Sequence, residues 1–99
     1  MAEINNFQRE CIEAVLGALK SKGFPSCQFR QVVGKSETYQ MASVTAREQL
    51  YKIYVYEDEA GLGIGREWFI CEKPDFRSPQ KLIQAFSRIL SDKLPQLRK

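Results

Sequence analysis

Leu50-Tyr51-Lys52-Ile53-Tyr54-Val55-Tyr56 is the stretch that decides the fold. Every residue in it except Lys52 is aliphatic or aromatic, and the β-branched and aromatic types that suit a pleated surface dominate. Side chains alternate along a strand, so Tyr51, Ile53 and Val55 share one face while Lys52, Tyr54 and Tyr56 share the other. The first face needs a covering layer. The second is aromatic where a one-sided antiparallel sheet is usually polar.

Downstream, residues 57–61 (Glu-Asp-Glu-Ala-Gly) form an acidic connection, and alternation resumes over 62–71. Leu62, Ile64, Trp68 and Ile70 take one parity and Gly63, Gly65, Phe69 and Cys71 the other, which predicts a fourth strand in a long hairpin with the third. Either Trp68 or Phe69 then faces solvent, according to register. Upstream, Cys27, Phe29 and Val33 alternate with Gln28 and Arg30 until the turn residues Gly34-Lys35-Ser36-Glu37, giving a half-buried first strand. In the second strand Tyr39 and Met41 have one parity and Ala42 and Val44 the other. That fits a strand covered on both faces, or one with a bulge.

Helical periodicity brackets these strands. Ile4, Phe7, Cys11, Val15, Ala18 and Leu19 recur at spacings of three and four, with Ile12 and Leu16 widening the stripe. Asn5 and Gln8 suit a capping box, and Gly23 follows Lys20 and Lys22 as a left-handed stop. At the other end Ser78-Pro79 is an N-cap before a first-turn proline, and Leu82, Ile83, Phe86, Ile89 and Leu90 predict a helix over 79–92. The residues after Pro95 are expected to fray. The predicted fold is therefore α+β, one domain over 1–99. Two layers are expected, with a three- to four-stranded antiparallel meander and both terminal helices packed on one of its faces.

The 99 residues are 43% hydrophobic and carry 15 Lys and Arg against 12 Asp and Glu, a net charge of +3. This is ordinary globular composition with only a mild positive excess. There is no histidine, which removes the commonest general base and the commonest metal ligand; no metal or cofactor is expected, and an enzyme is the least supported class. Cys11, Cys27 and Cys71 are odd in number and lack close pairing, so they read as small hydrophobes of a reducing cytoplasm. Residues 1–8 lack a basic segment leading into an apolar one, and no apolar run approaches a membrane span.

The glycines of 60–65 (Ala-Gly-Leu-Gly-Ile-Gly) lead into a strand and not a helix, so they do not form a phosphate-binding loop; a hairpin bend or close approach of a helix to the sheet explains them. Glu57, Asp58 and Glu59 are consecutive, unlike calcium ligands, and read as a solvated hairpin tip. The outer sheet face remains as the distinctive surface. Lys52, Tyr54 and Tyr56, with Arg30 on the first strand, are its candidate partner-binding residues, suited to a peptide, a base or a second copy of the chain. Arg77, Lys81, Gln84 and Arg88 fall at helical spacing, and Arg77, Lys81 and Arg88 are candidate phosphate contacts. From residue 77 onward, Arg98 and Lys99 included, the charge is +5.

The helix, three strands, helix order resembles the double-stranded RNA-binding domain in topology over most of the chain. That family carries a lysine-rich cluster at the start of its second helix and a histidine-bearing loop between its first two strands. Here the helix opens Ser78-Pro79-Gln80-Lys81 with one lysine, no histidine exists, and 62–71 adds a strand. The resemblance is one of shape. Two expectations follow. The first is a non-catalytic cytoplasmic adaptor or assembly factor that holds a protein partner or itself through the aromatic face, and the second a weak RNA-binding domain using the basic helix.

Overall fold

A computed structural model describes residues 4–97. Its elements run α1 (Asn6–Lys22), β1 (Arg30–Val33), β2 (Thr38–Ala46), β3 (Gln49–Val55), β4 (Glu59–Ile64), β5 (Glu67–Glu72), a short 3-10 turn (Lys73–Asp75) and α2 (Pro79–Lys93). The five strands form one antiparallel meander in chain order, and both helices pack on its inner face. The architecture is the expected α+β layout, with five strands where the sequence suggested three to four.

The extra strand arises because 62–71 is not continuous. It is split by the two-residue loop Gly65-Arg66, with Ile64 paired to Glu67. Gly65 takes φ +60°, and glycine at the first central position is the signature of a tight hairpin turn. The turn reverses the parity on its far side. Leu62 points inward opposite Phe69, while Trp68 lies opposite Gly63 on the outer face. Leu62 and Trp68 are therefore on opposite faces, and Trp68 is the exposed member of the Trp68 and Phe69 pair.

One other expectation changes, and one alternative left open is decided. β1 begins only at Arg30 and is largely exposed, because as an edge strand it has a neighbour on one side alone. β2 pairs with β3 without interruption from Gln40–Val55 to Ala46–Gln49, so no bulge exists and both of its faces are partly covered.

The helix ends form as their residues dictate. The Asn5 side chain accepts from the Gln8 backbone N–H at 2.7 Å and the Gln8 side chain accepts from Asn5 N–H at 3.0 Å, a complete capping box. Gly23, at φ 89°, donates to Lys20 O, and Phe24 N–H donates to Leu19 O, the paired bonds of a Schellman stop. Cys11, Val15 and Leu19 of α1 and Leu82, Phe86 and Leu90 of α2 meet Tyr51, Ile53, Val55, Leu62 and Cys71 in one buried cluster. Fully burying such side chains contributes about 1.5–3 kcal/mol each. The chain beyond Pro95 is held where it is described: Leu97 N–H donates to Lys22 O at 2.7 Å, and Arg47 Nη2 donates to Gln96 O at 2.9 Å. Arg98 and Lys99 lie outside the described residues.

Candidate functional site

Ring packing on the outer sheet face follows from strand register. Met41 pairs with Tyr54 and Gln40 with Val55, which brings Tyr39 alongside both Tyr54 and Tyr56. The Tyr39 and Tyr56 rings stack at 4.6 Å and 27°, and Tyr39 meets Tyr54 at 5.7 Å. On the far side of β3 stands β4, whose outward positions opposite Tyr54 and Lys52 are Gly61 and Gly63. With no side chains there, β5 residues lean across. A Cβ on Gly63 would sit 2.7 Å from Cζ3 of Trp68, and one on Gly61 3.4 Å from Cγ1 of Ile70. Trp68 reaches Tyr54 at 5.2 Å. Tyr56, Tyr39, Tyr54 and Trp68 thus form a continuous run of rings from β2 to β5, each contact worth about 0.5–1.5 kcal/mol beyond area burial. Glycine here lets rings meet above a strand. The alternative reading, close approach of a helix, fails because Gly61 and Gly63 face away from both helices.

These rings line a groove of about 420 Å³. Its wall is completed by Ile70, Ala60 and Gly61, and by three carboxylates, Glu37 from the β1–β2 turn, Glu59 at the start of β4 and Glu72 at the end of β5. None of the lining residues is Lys or Arg. Glu59 and Glu72 stand directly opposite in the β4–β5 ladder, a like-charge pairing that destabilises a sheet. The local field is accordingly negative. Partial burial first, then Glu72, Asp58 and Glu37, raise the Glu59 carboxyl above its ordinary value. Burial, then Tyr39, Glu37, Glu59 and Tyr54, likewise push the Tyr56 hydroxyl up. Glu57 and Asp58 are exposed, as expected of a hairpin tip, but Glu59 belongs to the groove.

Of the residues singled out from sequence, Tyr54 and Tyr56 line the groove. Lys52 shares their face but sits beyond Trp68, in a smaller hollow with Leu50, Gly63 and Gly65. Arg30 is exposed on β1 opposite Met41, two strands from Tyr54, and does not line the groove. Tyr39, Trp68, Ile70, Glu37, Glu59 and Glu72 join the site only through register, a signal that lies in the turns and not in local composition.

The basic candidates lie elsewhere. Lys81 and Arg88 are exposed on α2, whose buried stripe is Leu82, Phe86 and Leu90. Arg77 precedes the N-cap Ser78 and so is not on the helix; it lines a separate hollow with Glu57 and Asp58. Lys93 Nζ rests 4.9 Å from the Phe69 ring centroid. Burial raises all three thiols, that of Cys11 to about 12, which leaves them packing groups and not nucleophiles. Among the described residues no cluster of three or more His, Cys, Asp or Glu could hold a metal ion, and no helix is long and apolar enough to cross a membrane. No protein-family model, curated protein or solved structure matches this chain.

Proposed function

We propose that this chain is a non-catalytic interaction module of the cytoplasm, an adaptor or assembly factor, that holds a protein partner on its outer sheet face. One observation carries the reading: the four-ring run of Tyr56, Tyr39, Tyr54 and Trp68 lies on a face that neither helix covers, with Trp68 49% and Ile70 55% exposed. Aromatic residues in a water-accessible hollow are the anchors on which protein interfaces concentrate their energy. A second copy docked groove on groove would set Glu37, Glu59 and Glu72 against their own equivalents, which favours a different partner over a symmetric dimer. The three cysteines are free thiols, which suits a reducing compartment.

The test is capture from native cytoplasm with and without nuclease, followed by reconstitution. A partner that survives nuclease, and that once purified binds the wild-type chain but not the Tyr54→Glu/Tyr56→Glu variant, supports the reading. Capture that disappears with nuclease turns it toward RNA. That second reading has its own observation in Lys81 and Arg88, both exposed on the solvent side of α2.

A further inference from the structure

We infer that the groove is a cation-binding site whose occupant is a lysine or arginine side chain on a peptide segment of the partner protein. The inference rests on the interaction-module reading and adds the chemistry of what is held. Ring faces carry the negative end of the aromatic quadrupole and attract ammonium or guanidinium groups within about 6 Å. Four rings, Tyr39, Tyr54, Tyr56 and Trp68, meet over one hollow, and three carboxylates, Glu37, Glu59 and Glu72, share its lining without a single lysine or arginine. Ring faces and carboxylates favour the same ligand charge, so the two features select together for an organic cation.

Charge complementarity also decides against other occupants. The carboxylates do not gather closely enough to hold a metal ion. A phosphate-bearing strand would meet three like charges. The chain's own Lys52 and Arg30 share the face but lie outside the groove. Glu59 opposite Glu72 is a repulsion that no lysine or arginine of the groove lining relieves, and a bound cation would relieve it. Burial first, and neighbouring carboxylates and tyrosines after it, raise the Glu59 carboxyl and the Tyr56 hydroxyl. The chain as a whole is +3, so attraction of a basic segment is local to this groove and not a property of the whole surface.

A random dodecapeptide library displayed on phage and selected on the full chain supplies the probes, and synthetic winners are measured by anisotropy. The expected result is enrichment of Lys- or Arg-bearing peptides. Replacing that residue by norleucine or citrulline should weaken binding about tenfold or more, as should Glu37→Gln/Glu59→Gln/Glu72→Gln. Combining both changes should cost little beyond either alone, because each removes the same contact. The Gln replacements keep shape and hydrogen bonding, so loss of fold does not confuse the result. Trp68 is the only tryptophan, and its emission should respond on binding. If the winners lose affinity with Trp68→Ala but are neutral or acidic, the cation inference falls and the interaction reading stands. Should no winner depend on Trp68 or Tyr54, both fall. Duplex RNA that saturably changes Trp68 emission, or a dimer abolished by the triple Gln change, would also overturn the assigned occupant.

Discussion

Glu59 stands opposite a like charge, Glu72, and so weakens the sheet it belongs to. Its carboxyl is raised, so between the ordinary value and the raised one the folded chain holds more protons than the unfolded chain, and stability falls as pH rises through that interval. Above it the penalty is fully present, and below the ordinary value it is absent. Glu59→Gln should therefore stabilise the free protein near pH 7 by about 0.5 kcal/mol, the scale of a directly opposed like-charge pair. Urea melts at about pH 7 and about pH 3.5 check this: the gain should vanish at the lower pH. Gly63→Ala makes the complementary point. The added Cβ collides with the Trp68 ring and with no backbone, and Trp68 is half exposed, so the ring can swing away. The expected outcome is a small stability change, under about 1 kcal/mol, with a shifted Trp68 emission and loss of groove-dependent binding. A large drop in Tm with unchanged emission would mean that the backbone, not the ring, gave way.

At the scale of elements, turns decide more than strands do. The β2–β3 connection is the two-residue loop Arg47-Glu48, with Ala46 paired to Gln49, and both loop residues take positive φ, 51° and 65°. That is the geometry of a type I′ turn, which normally uses Asn and Gly. Non-glycine residues there carry strain of order 1 kcal/mol or more each. Glu48→Gly should relieve it, less the extra unfolded-state freedom of glycine, for a net gain of about 0.5–1 kcal/mol and a Tm rise of about 3–6 °C by calorimetry. Arg47 is the poorer target because its guanidinium holds Gln96 O. The same turns explain what the sequence revealed and what it hid. Tyr51, Ile53 and Val55 are core and Tyr54 and Tyr56 face outward, as strand alternation requires of any register. Gly65-Arg66 was hidden because β-forming residues run on both sides of it and one glycine among three does not announce a reversal. Tyr39 was hidden from the site because its neighbours depend on the Arg47-Glu48 turn, whose residues carry no turn signature. Both helices were plain because Asn5, Gln8, Gly23, Ser78 and Pro79 mark their ends chemically.

Across the whole molecule, charge is divided between two surfaces that composition merges into +3. The outer sheet holds the acidic aromatic groove, while the solvent side of α2 presents Lys81 and Arg88. That division separates the two functional classes experimentally. If α2 neutralised phosphates, the log–log dependence of affinity on salt would have a slope of about −0.7 to −0.9 per contact, and Lys81→Ala and Arg88→Ala would each remove about one contact's worth. Arg77 contributes less than its sequence spacing implied, since it shares its hollow with Glu57 and Asp58. Lys81, Arg88 and Lys93, the exposed cations of α2, supply too few phosphate contacts for tight binding, and the groove repels the same ligand. The expected outcome is therefore RNA affinity of about micromolar or weaker at physiological salt, the range of non-specific contacts, for duplex and single strand alike. Anisotropy at two salt concentrations checks it, and Trp68 emission should stay unchanged throughout. Tight, salt-sensitive binding that is lost with Lys81→Ala and Arg88→Ala would transfer the function from the sheet to α2 and leave the groove without a role in it.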